Sequence, residues 1–84
     1  MTITIYSTTT CPYCKMEKDY LASKNIAFVE KLVDQDDTAK TEMEALSGGF
    51  LGVPYTVITQ DSGEQQKIIG FDKNKINEIL NVTD

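Results

Sequence analysis

Hydrophobic and polar positions alternate at the start of the chain, from Thr2 to Tyr6. This period of two, together with the β-branched residues in it, predicts a first strand. A polar loop follows, and Pro12 then stands where the first turn of a helix tolerates a missing N–H. Apolar residues recur beyond it at helical spacing up to a break at Lys24 and Asn25, which predicts a first helix. These apolar residues are Tyr13, Met16, Tyr20 and Leu21.

A second strand and a second helix follow. Residues 26–33 are mostly apolar and predict the strand. Asp34, Asp36 and Asp37 suit the N-cap and first turn of a helix, and Gly48 with Gly49 provides its stop, so the helix is predicted from about Asp36 to Ser47. Its apolar positions lie at i, i+4 and i+7 and therefore share one face. They are Ala39, Met43 and Leu46.

The last third of the chain predicts two more strands and a helix. Tyr55 to Thr59 is rich in β-branched residues, and the turn-forming residues 60–63 connect it to a short strand near residues 66–69. Asp72 can then cap a helix whose apolar face carries Ile76, Ile79 and Leu80. The order β-α-β-α-β-β-α predicts an α/β fold, in which three helices cover a four-stranded mixed sheet.

Length and charge narrow the class of protein. The 84 residues have a formal net charge of −5 and no cluster of lysine and arginine, so we expect no nucleic-acid partner. No apolar run approaches the roughly 18 residues that span a bilayer, and no secretory signal precedes the first strand. We therefore expect one domain over residues 1–84, a cytoplasmic monomer without a membrane partner.

Two cysteines carry the candidate chemistry. Cys11 and Cys14 are the only cysteines in the chain, and a disulfide that closes so short a loop would stabilise a fold little. Positions i and i+3 share a helix face at a separation that a disulfide permits. Cys11 would lie at the helix N-terminus, where unpaired N–H groups and the dipole favour an anion. We therefore predict Cys11 as the attacking thiolate and Cys14 as the resolving thiol.

A metal site is the competing interpretation of the same spacing. Structural zinc generally takes four cysteine or histidine ligands, and this sequence has two cysteines and no histidine. We therefore expect no metal and no bound cofactor in a single chain. Two chains could still pool their thiolates around zinc, or hold an iron–sulfur cluster with external thiols. That alternative would make the protein a metal carrier and not an enzyme.

Three motifs, taken in order, resemble the glutaredoxin family over essentially the whole chain. They are Cys11-Pro12-Tyr13-Cys14 after the first strand, Val53-Pro54 before the third, and Gly70-Phe71-Asp72 before the last helix. The resemblance implies a thioredoxin fold. It also implies a thiol-disulfide oxidoreductase that uses glutathione as a co-substrate.

The same resemblance assigns a glutathione-binding role to several residues. Pro54 would be a cis proline packed near Cys11, which leaves the Val53 backbone to pair with glutathione or a peptide. Tyr13 would flank the substrate. The Gly70-Phe71-Asp72 turn would offer N–H groups and a carboxylate to the γ-glutamyl end. Each also has a structural interpretation, with Pro54 starting a strand, Tyr13 shielding the helix and Asp72 capping one.

Two departures from the family pattern favour a different electron donor. Many glutathione-using members carry Lys or Arg where this chain has Thr8, and the acidic surface would attract anionic glutathione weakly. Gly70-Phe71 is similar to the redoxins that thioredoxin reductase reduces and that serve ribonucleotide reductase. We expect protein disulfides or glutathione mixed disulfides as substrates, and a redoxin that couples thioredoxin reductase to ribonucleotide reductase is the alternative.

Overall fold

In the computed structural model, residues 2–49 and 52–81 are described, and they follow the predicted order of elements. The strands are β1 (Thr2–Ser7), β2 (Val29–Leu32), β3 (Tyr55–Thr59) and β4 (Gln65–Ile69). The helices are α1 (Pro12–Ser23), α2 (Asp37–Ser47) and α3 (Lys73–Leu80). Within the described residues, no helix has the length and apolar character needed to cross a membrane.

The strands form one mixed sheet in the order β2-β1-β3-β4. β1 pairs in parallel with β2 and antiparallel with β3, and β3 pairs antiparallel with β4. The parallel pair is joined through α1, and the antiparallel pair β3–β4 is joined by the short turn at residues 60–64. The predicted α/β architecture, a four-stranded mixed sheet with three helices, is confirmed.

Each face of the sheet buries its own cluster of side chains. On one face, Ile5 lies opposite Thr56, which lies opposite Ile68 on the next strand. Leu21 of α1 and Ile76 of α3 complete this cluster. Helix α2 covers the other face, where the buried residues are Tyr6, Met43, Tyr55 and Val57. The helix that follows the first cysteine therefore lies on the same side of the sheet as α3.

The predicted second strand was too long at its start. Strand β2 begins at Val29, and its ladder with β1 begins there, opposite Thr4. The Ile26 N–H instead bonds to the Leu21 carbonyl at 2.9 Å, which closes the end of α1. Ile26 and Phe28 pack against the first cluster, so the apolar character of residues 26–28 reflects core packing and not strand pairing.

The residues that α1 buries are not all the apolar residues whose spacing predicted the helix. Tyr13 and Met16 are 61% and 51% exposed. The buried residues are Cys14, Glu17 and Leu21, at i, i+3 and i+7. A carboxylate therefore occupies a position that a hydrophobic residue normally fills.

Candidate active site

The sheet topology brings three of the sequence motifs to one edge. Strand β1 ends at this edge and leads through residues 8–10 to Cys11. Tyr55, the first residue of β3, pairs with the last part of β1, so residues 53–54 precede β3 at the same edge. Strand β4 ends opposite Tyr55, and residues 70–72 continue from there. The antiparallel pairing therefore gathers residues that are far apart in sequence.

The loop before Cys11 is held by a carboxylate that follows β2. The backbone N–H and the hydroxyl of Thr9 both donate to Asp34 Oδ2, at 3.1 and 2.7 Å. These hydrogen bonds hold the pKa of Asp34 below its ordinary value. The loop before Cys11 is therefore hydrogen-bonded to the segment that follows β2.

Cys11 is the N-cap residue of α1. Its backbone is extended, and its Sγ accepts a hydrogen bond from the Cys14 N–H at 3.2 Å. The sulfur therefore occupies the place of the oxygen in an ordinary N-cap side chain. The Cys11 side chain is partly exposed, so its sulfur is open to a substrate at the helix end that favours negative charge.

Cys14 lies in a different environment one turn further along. It is 1% exposed. Burial raises the pKa of Cys14 to about 12, and a hydrogen bond with the Cys11 side chain and the charges of Cys11 and Glu17 add to the increase. A hydrogen bond with the Thr8 backbone opposes them. Cys14 is therefore protonated at neutral pH.

The segment before β3 and the turn after β4 are joined at the edge of the sheet. The Val53–Pro54 peptide bond is cis, as the resemblance implied. The Pro54 carbonyl accepts the Gly70 N–H at 2.8 Å. Pro54 is buried, whereas Val53 is half-buried and packs against the cluster beneath α2. Gly70 has a φ of 77°, a conformation that favours glycine.

The other residues predicted to bind glutathione have mixed surroundings. Tyr13 is exposed and does not shield the core. The Phe71 ring packs against Tyr20 with centroids 6.1 Å apart and belongs to the first cluster. Asp72 caps α3 by accepting the Lys75 N–H at 3.1 Å, and its side chain lies at the surface. Phe71 and Asp72 therefore both have structural roles, in core packing and in helix capping.

Sequence reasoning missed an open groove of about 590 Å³ beside Cys11. It lies between α1 and β2 and forms only when β2 pairs with β1, so no local pattern could reveal it. Two ion pairs line it, Lys15 with Asp19 at 3.3 Å and Lys18 with Glu30 at 2.5 Å. Both lysines near the cysteine pair are therefore partnered by carboxylates.

Sequence reasoning also missed a buried polar pair beneath the cysteines. The Thr56 hydroxyl donates to Glu17 Oε2 at 2.6 Å, and Glu17 is 0% exposed. Burial raises the pKa of Glu17, although the Thr56 hydrogen bond lowers it in part. The signal that could have found Glu17 is its position midway between Cys14 and Leu21 on one helix face.

Among the described residues, no group of three or more histidine, cysteine or acidic side chains is arranged to hold a metal ion. The cysteine motif itself contributes two thiols, one at the start of α1 and one a turn inside it. Two thiols on one helix turn can exchange with an external disulfide and then close a disulfide between themselves.

Comparisons with known proteins agree with this geometry. The Glutaredoxin family model matches residues 3–67. A glutaredoxin-like 8.6 kDa protein in the rubredoxin operon of Clostridium pasteurianum is 46% identical over 78 residues, which cover 93% of this chain and 96% of that protein.

Two solved structures extend the similarity to three dimensions. NrdH-redoxin from Escherichia coli, a glutaredoxin-like protein with a thioredoxin-like activity profile, is 28% identical with a TM-score of 0.75, covering 94% of this chain and 95% of that one. A mutant of the thioredoxin-like protein BC3987 is 27% identical with a TM-score of 0.81, covering 98% and 97%. The chain belongs to the glutaredoxin family and has the thioredoxin fold.

Proposed function

We propose that this protein is a thiol-disulfide oxidoreductase that reduces protein disulfides or glutathione mixed disulfides through Cys11 and Cys14, with glutathione as its co-substrate. The observation that carries the proposal is the difference between two thiols on one helix turn. Cys11 is partly exposed and accepts an N–H hydrogen bond, whereas Cys14 is buried and protonated. This arrangement suits one thiol for attack and the other for resolution.

The reaction follows from these positions. The Cys11 thiolate attacks one sulfur of the substrate disulfide, a mixed disulfide forms, and the other substrate sulfur leaves as a thiolate. Cys14 then attacks Cys11 Sγ, the Cys11–Cys14 disulfide forms and the second substrate thiol is released. The Cys14 N–H stabilises charge on Cys11 Sγ both before attack and when Cys11 later leaves.

The motifs at the sheet edge support glutathione as the co-substrate. Val53 precedes the cis Pro54, and the Gly70 N–H joins this segment to the turn that ends at Asp72. Both segments lie at the edge where the chain enters α1 through Cys11. An extended tripeptide could pair with the Val53 backbone there and reach the exposed carboxylate of Asp72 with its amino group.

A redoxin reduced by thioredoxin reductase and serving ribonucleotide reductase is the second candidate. Thr8 provides no charge for a glutathione carboxylate, and the Phe71 ring packs against the first cluster of core residues. The similarity to NrdH-redoxin, whose activity profile is thioredoxin-like, favours this candidate further. A metal carrier is less well supported, because burial of Cys14 leaves Cys11 as the thiol that a second chain could reach.

Parallel assays of disulfide reduction test the proposal. The purified protein is given a glutathionylated peptide or insulin as substrate. One arm contains NADPH, glutathione and glutathione reductase, and the other contains NADPH and thioredoxin reductase. We expect NADPH oxidation in the glutathione arm. Turnover in the thioredoxin reductase arm alone would favour the second candidate, and no turnover in either arm from a coloured or zinc-containing protein would favour a carrier.

A further inference from the structure

The buried face of α1 places a carboxylate one turn beyond the resolving thiol. Glu17 follows Cys14 by three residues, so their side chains share a helix face. They are 0% and 1% exposed. Thr56 satisfies Oε2 of Glu17, and Oε1 has no hydrogen-bond partner within residues 2–49 and 52–81.

This position is costly for a carboxylate. A buried charge or an unpaired buried oxygen lowers the free energy of unfolding, and a hydrophobic residue at the same place would avoid both penalties. Leu21, four residues further along the same face, shows what the packing there accepts. The acid in this row of buried residues therefore needs an explanation beyond stability.

We propose that Glu17 accepts the proton of the Cys14 thiol when Cys14 resolves the mixed disulfide on Cys11, and returns it when the Cys11–Cys14 disulfide is reduced. This inference rests on the proposed function, since it concerns the second step of that reaction. It gives the buried carboxylate a role that its contacts with the fold do not explain.

The surroundings leave Glu17 as the acceptor on this side of the helix. Within the described part of the chain, the titratable neighbours of Glu17 on this side of α1 are Cys14, three residues before it, and Tyr20, three residues after it, whose hydroxyl donates to Asn77 Oδ1. Lys18 is adjacent in sequence but pairs with Glu30. The side chains that the neighbouring elements contribute to this face do not titrate. They are Ile5 from β1, Thr56 from β3, Ile68 from β4 and Ile76 from α3.

The proposed step balances in atoms and electrons. The Cys14 proton moves to the Glu17 carboxylate, and Cys14 Sγ forms a bond with Cys11 Sγ. The bond between Cys11 Sγ and the substrate sulfur breaks, and its electron pair leaves with the substrate thiolate, which takes a proton from water. Cys11 and Cys14 are oxidised to a disulfide while the substrate is reduced. When a thiol reductant reopens that disulfide, the Glu17 proton returns to Cys14.

Formation of the mixed disulfide on Cys11 makes proton transfer from Cys14 to Glu17 easier. Burial is the main reason that the pKa of Cys14 is about 12, but hydrogen bonding with Cys11 and the Cys11 charge add to it. Both additions disappear when the Cys11 sulfur is part of a mixed disulfide, so the pKa of Cys14 falls. Burial raises the pKa of Glu17, and a carboxylate with a raised pKa is a stronger base.

A two-phase reaction can separate this step from the first one. The probe is 5,5′-dithiobis(2-nitrobenzoate), an aromatic disulfide whose thiolate products absorb visible light, mixed with the reduced full chain in a stopped-flow instrument. Attack by Cys11 releases the first thiolate, and resolution by Cys14 releases the second. We expect Glu17→Gln to slow the second phase about 100-fold relative to the first. The pH profile of that phase should also lose the inflection due to the carboxylate.

Two further variants make the result specific. Glu44→Gln makes the same chemical change at an exposed position of α2 and should alter neither phase. Glu17→Asp keeps a carboxylate with a lower ordinary pKa, so it should retain an inflection that moves to lower pH. If Glu17→Gln does not fold, the Glu17→Asp variant still tests the role of Glu17.

The outcomes are distinguishable. Equal slowing of both phases in Glu17→Gln, or an unchanged inflection in Glu17→Asp, would overturn the role of Glu17 while leaving the proposed function intact. If the wild-type protein releases no thiolate in either phase, the proposed function fails and this inference fails with it.

Discussion

Cys11 and Cys14 lie three residues apart on α1, yet one caps the helix at the surface and the other is enclosed against the sheet. Cys11 is partly exposed and accepts an N–H hydrogen bond. Cys14 is 1% exposed and lies on the same buried face as Glu17. The difference arises from position along the helix, because Cys11 is the N-cap at its open end, whereas Cys14 lies one turn inside and packs against the sheet. This difference in exposure is what supports the proposed assignment of attack to Cys11 and of resolution to Cys14.

The largest expected changes in activity come from replacing each cysteine in turn, which tests the difference between the two thiols. Cys11→Ser should lower the reduction of both protein disulfides and glutathionylated peptides by about 1000-fold or more, because no other thiol lies at the helix start. Cys14→Ser should abolish the reduction of protein disulfides but keep that of glutathionylated peptides, since free glutathione can resolve the mixed disulfide on Cys11. Steady-state assays with both substrates measure this.

Two results would contradict the assignment of these roles. Substantial turnover by Cys11→Ser with either substrate would mean that Cys14 can attack from its buried position. Equal loss of both activities in Cys14→Ser would mean that the second thiol is needed before resolution.

Alkylation should reveal the buried thiol through its pH dependence. Because the pKa of Cys14 is about 12, its reaction with iodoacetamide should accelerate about tenfold for each pH unit well beyond pH 8.5, where an ordinary cysteine levels off. Peptide mapping by mass spectrometry at short reaction times measures each cysteine separately. The urea-unfolded chain is the control and should show ordinary behaviour. A rate that levels off below pH 10 in the folded protein would disprove the shift.

Glu17 and Glu30 should give pH dependences of stability with opposite signs. Burial raises the pKa of Glu17 above its ordinary value near 4.5, so wild-type stability falls as pH rises from that value through the raised pKa. Burial would also raise the pKa of Glu30, but hydrogen bonds from Lys18 and Ser7 outweigh it and lower the pKa. The contribution of Glu30 is therefore present above its ordinary value and is lost as pH falls through the lowered pKa.

Matched Gln variants measured by urea unfolding between pH 3 and pH 8 test this pair. Glu17→Gln should gain stability relative to wild type as pH rises, by at most about 1.4 kcal/mol per pH unit. Glu30→Gln should lose about 0.5 to 1 kcal/mol at pH 7 and approach wild type in acid. Slopes of the same sign for the two variants would contradict the difference between the two carboxylates.

The smallest expected effect comes from a positive charge added at Thr8, in the loop before Cys11. If glutathione is the co-substrate, Thr8→Lys should lower the KM for a glutathionylated peptide about threefold at low salt, because the new charge attracts the carboxylates of glutathione. The gain should shrink as salt approaches 0.1 M, where the screening length is about 10 Å. Thr41→Lys, an exposed position on α2, is the control. An unchanged KM, with efficient reduction by thioredoxin reductase, would favour the redoxin candidate.

The sequence predicted the order of the elements because periodicity and caps agree in most of them. Asp72 is an N-cap as expected, Asp36 is the N-cap among the three aspartates predicted for the start of α2, and strand β3 has its predicted bounds. Residues 26–28 were assigned to a strand because an apolar run cannot distinguish ladder pairing from core packing. The cysteine pair was visible as a local motif.

The buried part of the site was not predictable in the same way. Tyr13 and Met16 have the character of core residues, yet they are exposed, and Glu17 has the character of a surface residue, yet it is buried. Their exposure depends on how α1 is rotated against β3, and that rotation brings together residues as distant in sequence as Thr56 and Glu17, 39 positions apart. No local pattern contains such a contact.

The two hydrogen bonds from Thr9 to Asp34 have an entropic consequence. They join residues 25 positions apart and hold the loop before Cys11 in one conformation. Ordering the backbone of one residue costs roughly 1 to 2 kcal/mol at 25 °C. Here that cost is met once, when the chain folds, and does not recur with each substrate. An incoming disulfide therefore meets Cys11 at the end of a loop that is already ordered in the folded chain.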